Sequence, residues 1–168
     1  MALSKDKIIQ SALRLVGQTY HYNDNNSEIY KMAGAYLENI IDSVAYRTDL
    51  KFNSTTVSLT VNGKRDEEFR YNIPTDYLNK VLFIGGEAYF EGEYIYSLAE
   101  NLKLQYMRRI TLPEFPDNMF ELLSHMLALR LAESDISFRD SVQLMDTRVN
   151  QELTRLYQNQ FTPKTRKM

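Results

Sequence analysis

A chain of 168 residues with 43% hydrophobic content can bury a full core, and the absence of cysteine excludes disulfides, thiolate metal sites and cysteine nucleophiles. Its 20 basic and 22 acidic side chains leave a formal charge of −2, so no global attraction to phosphate is expected and a dedicated DNA-binding domain is disfavoured. No apolar run approaches the roughly 20 residues that a membrane span requires, and the spaced apolar residues of MALSKDKIIQSALRLVG do not make a signal peptide, so a soluble chain is expected.

The first helix is expected over 4–17. Ile8, Ile9, Ala12, Leu13, Leu15 and Val16 fall on one face, with Ser4 as N-cap and Gly17 as the stop. Residues 18–26, QTYHYNDNN, are polar and rich in turn formers, and read as a loop. A second helix over 27–47 follows Ser27. Its stripe of Ile29, Ala33, Tyr36, Leu37, Ile40, Ile41, Val44 and Ala45 keeps the three-four spacing of one buried face.

Between residues 50 and 107 the period drops to two. Val57, Leu59 and Val61 alternate with polar residues, and Asn62-Gly63 is a strong hairpin-turn pair. Phe69, Tyr71 and Ile73 alternate again before Pro74, and Asp76 and Tyr77 read as turn residues after it. The pieces LNKVLFI, EAYF, YIYSL and LKLQYM follow, parted by Gly85-Gly86, Gly92 and Ala99-Glu100-Asn101, which predicts several short antiparallel strands.

Helices resume at 116–133 and 137–160. In the first, Pro116 opens the helix beside Asp117, and Met119 to Leu131 is apolar around much of its circumference, as in a helix packed on both sides. In the second, Val142, Met145, Val149, Leu153 and Leu156 form a narrow stripe. Residues 161–168, FTPKTRKM, are expected to leave the domain as a basic extended tail. The fold class is therefore α+β: about four helices, a small antiparallel sheet inserted at 50–107, and the tail, with 1–160 read as a single domain.

Chemistry is sparse. His21 lies in the polar loop, and His125 lies in a helix with only Glu121 one turn before it, short of a metal-ligand set. No phosphate-binding glycine loop surrounds Gly85-Gly86, and no GxSxG elbow exists. Glu87, Glu91 and Glu93 beside aromatic residues describe the exposed face of a strand and its turn. No catalytic, cofactor-binding or metal residue is expected, and the chain is not read as an enzyme. The 12 tyrosines, with no tryptophan, suit half-buried surfaces between subunits and equally suit strands.

Several stretches, taken in order, resemble the tail tubular protein A family, the head-to-tail adaptor (gatekeeper) proteins of short-tailed bacteriophages. IIQSALRLVGQ is similar to the family's opening helix, and IYKMAGAYLENIIDSVAYRTDLKFN to its second helix and the strand start beyond, with Leu50-Lys51-Phe52 standing where the family has a Trp-x-Phe type segment. YNIPTDYL resembles a Tyr-x-Leu-Pro-x-Asp-Tyr-Leu segment, with Ile73 in the leucine position. EYIYS, LKLQYMRRI and LPEFPDNMFELLSHMLALRLA resemble the family's later strand pair, its Leu-x-Tyr-x-Arg motif and its Leu-Pro-x-x-Phe entry into alanine-rich helices.

The resemblance implies a virion structural protein without catalysis. Its subunits form a ring, a dodecamer in the family, between the portal protein and the tail hub or nozzle, and genomic DNA passes through without sequence-specific binding. Synthesis in the host cytoplasm and no membrane partner are implied. Phe161, Pro163, Lys164, Arg166 and Lys167 are the implied portal-docking residues, as in the family's C-terminal segment. The candidates for the tail-side contact are Gly85, Gly86, Tyr89, Phe90, Tyr94 and Tyr96, and those for lateral packing are residues 27–47 and 116–160. Two other readings stay open at this point: a head-completion connector of a long-tailed phage, which is mainly helical, and a small ligand-binding domain.

Overall fold

The computed structural model describes residues 2–17, 27–134 and 142–161. Its elements divide between two compact units, one made of residues 1–44 and 111–168 and one of residues 45–110. The architecture is α+β, with four helices and two small antiparallel sheets among the described residues.

The four helices are α1 (Lys5–Leu15), α2 (Glu28–Tyr46), α3 (Phe120–Ser134) and α4 (Val142–Phe161). In α1 the expected face is the buried one: Ile8, Ile9, Ala12 and Leu13 are fully excluded from water. Each large aliphatic side chain of that kind contributes about 1.5–3 kcal/mol on burial. Ser4 occupies the N-cap position through its backbone alone, its carbonyl accepting from Ile8 N at 3.1 Å. Ser27, by contrast, caps α2 with its side chain, Tyr30 N donating to Ser27 Oγ at 3.2 Å. Gly17 stops α1 at φ +85°, a left-handed conformation that glycine adopts without a Cβ penalty.

Helix α3 is the centre of this unit, packed against both α1 and α4. Leu122, Leu123, Leu127, Ala128 and Leu131 are all fully buried, which accounts for its near-continuous apolar sequence. It begins as an α-helix only at Phe120, because Asp117–Met119 forms a 3-10 turn after Pro116. An earlier 3-10 turn at Leu112–Glu114 is closed by a capping box, with Thr111 N donating to Glu114 Oε2 at 2.7 Å. From α4, Met145, Val149 and Leu156 supply the buried stripe. The last seven residues of the chain, 162–168, lie outside the described residues, as do the loop 18–26 with His21 and the start expected for the last helix at 137.

The second unit holds seven strands: β1 (Ser54–Ser58), β2 (Val61–Arg65), β3 (Glu68–Asn72), β4 (Tyr77–Ile84), β5 (Tyr89–Glu91), β6 (Tyr94–Ser97) and β7 (Lys103–Arg108). They form a three-stranded sheet, β1-β7-β4, and a four-stranded sheet, β2-β3-β6-β5, with every pairing antiparallel. Leu59 and Thr60 carry the chain from one sheet to the other. Leu59 N donates to Leu102 O at 2.9 Å at the end of the first ladder, and Thr60 O accepts from Asn72 N at 3.1 Å at the start of the second. One core lies under both sheets: Tyr71 and Ile95 from the four-stranded side, Leu104 and Tyr106 from the three-stranded side, and Leu102 between them.

The chain departs from two local expectations around β1 and β2. Asn62-Gly63 is not the hairpin turn: both residues lie inside β2, at a register shift between Val61 and Lys64. The turn falls instead at Asp66-Glu67, with Asp66 at φ +57°, and Gly63 at φ +91° makes the bulge that bends the strand. Leu50-Lys51-Phe52 likewise precedes the first strand. Lys51 has φ +53° and its carbonyl accepts from Ser54 N at 3.2 Å, so these residues turn the chain and β1 starts only at Ser54.

In the proline segment Asp76 lies in the turn as expected, whereas Tyr77, read as a turn residue, opens β4 and packs against Tyr106 and Phe90. Tyr77 N donates to Pro74 O at 3.1 Å, closing a turn in which Asp76 is doubly tied. Its carboxylate accepts from Tyr106 Oη at 2.6 Å and its carbonyl from Arg109 N at 2.6 Å. At the mouth of the unit, buried Asn53 donates from Nδ2 to Ala45 O and to Arg108 O, both at 2.7 Å. One side chain thus joins the segment that enters the unit to the strand that leaves it.

Candidate interaction surface

Among the described residues, the outer face of the β2-β3-β6-β5 sheet carries a dense set of organised polar contacts. Alternation decides its membership. The two-residue Gly92-Glu93 turn pairs Tyr89 with Tyr96, Phe90 with Ile95 and Glu91 with Tyr94. Tyr89, Glu91, Tyr94 and Tyr96 therefore share one face, while Phe90 and Ile95 share the other. In β3, Arg70 pairs with Tyr96 and Asn72 with Tyr94, which adds them to the outer set.

Arg65, at the end of β2, organises this face. Its guanidinium lies 3.8 Å from the centre of the Tyr96 ring and grips Glu91 with two hydrogen bonds, 3.0 Å to Oε1 and 2.8 Å to Oε2. It also donates to Tyr89 Oη at 3.0 Å, and Tyr89 in turn donates to Glu68 Oε1 at 2.6 Å. The Tyr89 and Tyr96 rings stack with centres 5.8 Å apart. A second cation, Arg70, lies 4.6 Å over the Tyr94 ring and donates to Asn62 O at 2.7 Å. The Arg65 guanidinium holds the Glu91 carboxyl below its usual range, and the hydrogen bond to Glu68 is the first cause that pushes the Tyr89 hydroxyl up. Such a set of pre-placed rings and forked charges loses little side-chain freedom when another protein covers it.

The six residues singled out for a tail-side contact thus separate. Tyr89, Tyr94 and Tyr96 stand together on the outer face, with Tyr89 the most open at 41% and Tyr96 nearly covered by Arg65. Phe90 faces inward, its ring 5.2 Å from Tyr77 and 5.5 Å from Phe83, so it belongs to the core packing and not to the outer face. Gly85 and Gly86 shape the loop before β5. A Cβ on Gly85, at φ +102°, would sit 2.5 Å from Asn101 O, and one on Gly86 would sit 2.6 Å from Ala99 Cβ. The two loops can approach this closely only because both positions lack a side chain. Of the portal-docking set, Phe161 closes α4 by its backbone. Its side chain, and Pro163, Lys164, Arg166 and Lys167, lie outside the described residues.

Arg65, Glu68 and Arg70 were not legible as members of this surface. Their placement depends on strand register over 20 residues or more of sequence, and on the bulge in β2. The signal that did exist was the alternation of Tyr89 with Glu91 and of Tyr94 with Tyr96 around a two-residue glycine turn.

His125 is buried in α3, with Nδ1 2.6 Å from Glu121 O one turn earlier and 3.8 Å from Glu121 Oε2. Among the described residues no group of three or more histidine or carboxylate side chains is placed to hold a metal ion. None of the helices described there is long and apolar enough to cross a membrane. Compared with known proteins, the chain matches no family model and no curated protein.

Proposed function

We propose that this chain is a head-to-tail adaptor subunit of a short-tailed bacteriophage, a virion structural protein that forms a ring between portal and tail and extends the DNA channel. The observation that carries the reading is the order of elements. Two helices, an inserted antiparallel β-unit and two further helices follow one another in the order in which the resembling motifs occur. A ring subunit needs rigid helices for lateral packing and a projecting sheet for axial contact, and heterologous contacts close into a ring when the rotation per subunit is right. In this proposal the outer face around Tyr89, Tyr94 and Tyr96 meets the tail, residues 161–168 dock on the portal, and the near-neutral charge lets DNA slide past.

The test is assembly. Purified chain mixed with portal protein of the same virus is expected to give a ring on the portal by electron microscopy, with the copy number read from its symmetry. A chain that ignores the portal under all conditions removes the proposal. Deleting residues 162–168 is expected to weaken docking while leaving the circular dichroism spectrum unchanged.

A further inference from the structure

The loops that lead from β4 into β5 and from β6 into β7 flank a groove of about 610 Å³. Its walls combine the carboxylates of Glu68 and Glu87 with the exposed side chains of Tyr89 and Leu98. Leu98, at 70% exposure, is the most open large apolar side chain among the described residues. It is also held in place. Ser97 Oγ donates to Glu87 O at 2.6 Å and accepts from Ala99 N at 3.0 Å, which locks the two loops together on either side of it. An exposed leucine on a fixed loop offers apolar area to a partner without an ordering cost.

Apart from Arg65, which lies on Tyr96 and Tyr89 at the edge of the groove, the local sequence is acidic. Residues 85–101 contain Glu87, Glu91, Glu93 and Glu100 and no lysine or arginine. Glu91 is matched by Arg65, whereas Glu87, Glu93 and Glu100 make no ion pair among the described residues. The inverse composition occurs at two places, in residues 101–113, whose Lys103, Arg108 and Arg109 lie in or directly after β7, and at the C-terminus. Residues 162–168, TPKTRKM, carry Lys164, Arg166 and Lys167, no acid, and an apolar methionine at the end.

We infer that this groove binds the C-terminal segment, residues 162–168, of a second copy of the chain. The basic side chains meet Glu87 and the neighbouring glutamates, and an apolar residue of the segment covers Leu98 and Tyr89. Seven residues reach about 24 Å when extended, enough for one peptide to make both kinds of contact. Attraction between unmatched charges speeds the encounter and weakens with salt, whereas the apolar contact sets how long the segment stays. Under the adaptor reading the portal competes with the groove for the same segment. The inference itself does not rest on that reading.

A fluorescent peptide of residues 161–168 tests the groove by anisotropy against the full chain at low salt. Glu87→Lys and Leu98→Ser are each expected to weaken binding by about tenfold, a change of about 1.4 kcal/mol. Both replace exposed side chains, and an unchanged thermal transition verifies that they fold. Binding within twofold of the unaltered chain for both variants overturns the site, as does equal binding of a peptide with glutamate at its three basic positions. Sedimentation velocity tests the second copy. The full chain is expected to associate with rising concentration at low salt, and the chain lacking residues 162–168 is expected to stay monomeric. Association that survives the deletion, or a full chain that stays monomeric while the peptide binds, overturns the assignment. No portal protein enters either experiment, so failure here and failure of the adaptor reading are told apart.

Discussion

The helical unit and the β-unit solve the same problem with different materials. The helical core is aliphatic, built from Ile8, Ile9, Leu13, Leu37, Leu122, Leu123, Leu127 and Leu131. The β-core is largely aromatic: Tyr71 and Tyr106 are buried, and Phe69, Tyr77, Phe83 and Phe90 pack around them. Aliphatic side chains need only volume and contact, whereas each buried tyrosine also needs a partner for its hydroxyl. Tyr71 finds the carbonyl of Ala99, and Tyr106 finds Asp76. An aromatic β-core is therefore committed to particular loop positions in a way that a leucine core is not.

Core truncation sets the largest expected effect. Leu127→Ala in α3 and Ile95→Ala in β6 each remove a fully buried aliphatic side chain and are expected to cost about 3 kcal/mol in denaturant unfolding. An Ile95→Ala cost below about 1 kcal/mol would break the comparison, because it would mean that the β-core is loosely packed. Gly85→Ala comes next. Its Cβ would meet the Asn101 carbonyl at 2.5 Å in a left-handed conformation, and a loss of about 2 kcal/mol is expected. Gly92→Ala, also at positive φ but in open space, is expected to cost less, and the difference measures the close approach alone.

Asp76→Ala leaves the Tyr106 hydroxyl buried without its acceptor and is expected to cost about 1.5 kcal/mol, more than Tyr106→Phe, which removes donor and demand together. The helical unit contains a counterpart, Tyr30 donating to Asp6. Burial first and the aspartate second push both hydroxyls up to about 12, from an ordinary value of 10. The folded chain holds these two protons more tightly than the unfolded chain does. The stability they contribute is complete below pH 10 and is lost as pH rises through about 12. Spectrophotometric titration is expected to show a late group of tyrosines that shrinks by one in Tyr30→Phe and by one in Tyr106→Phe. The smallest effect belongs to Arg65→Ala, whose contacts lie at the surface. Its thermal transition is expected to stay where it is, while recognition by a partner of the Tyr89–Tyr96 face weakens.

Legibility followed the same division. In α1 the buried face could be read from spacing, because a helix brings together residues three and four apart. In α2 the spacing gave Ala33, Leu37, Val44 and Ala45 but not the buried Tyr30, and Ile29, Tyr36, Ile40 and Ile41 of the expected stripe are only half-buried. Strand existence was equally plain in Phe69-x-Tyr71 and Tyr94-x-Tyr96. Strand partnership was not. Nothing local tells that Leu59-Thr60 steps from one sheet to another, or that Asn62-Gly63, a common turn pair, is spent on a bulge while Asp66-Glu67 turns the chain. The Arg65 cluster stayed hidden for the same reason, since it joins β2 to residues of β5 and β6 more than 20 positions later. Phe90 was grouped with its tyrosine neighbours by composition, and only the register set by the Gly92-Glu93 turn sends it inward.

The double hydrogen bond of Asn53 has a consequence for how such a chain can be altered. Because Nδ2 ties Ala45 O to Arg108 O, residues 45–110 start and finish at one place, and everything between them is a loop-out from a single point. A segment with that geometry can be cut out and replaced by another of different length or surface, since the host chain must bridge only the short gap that a single asparagine now spans. The β-unit is in this sense a cassette: its outer face can diversify to suit new partners by exchange of the whole insert, with Asn53 as its clasp.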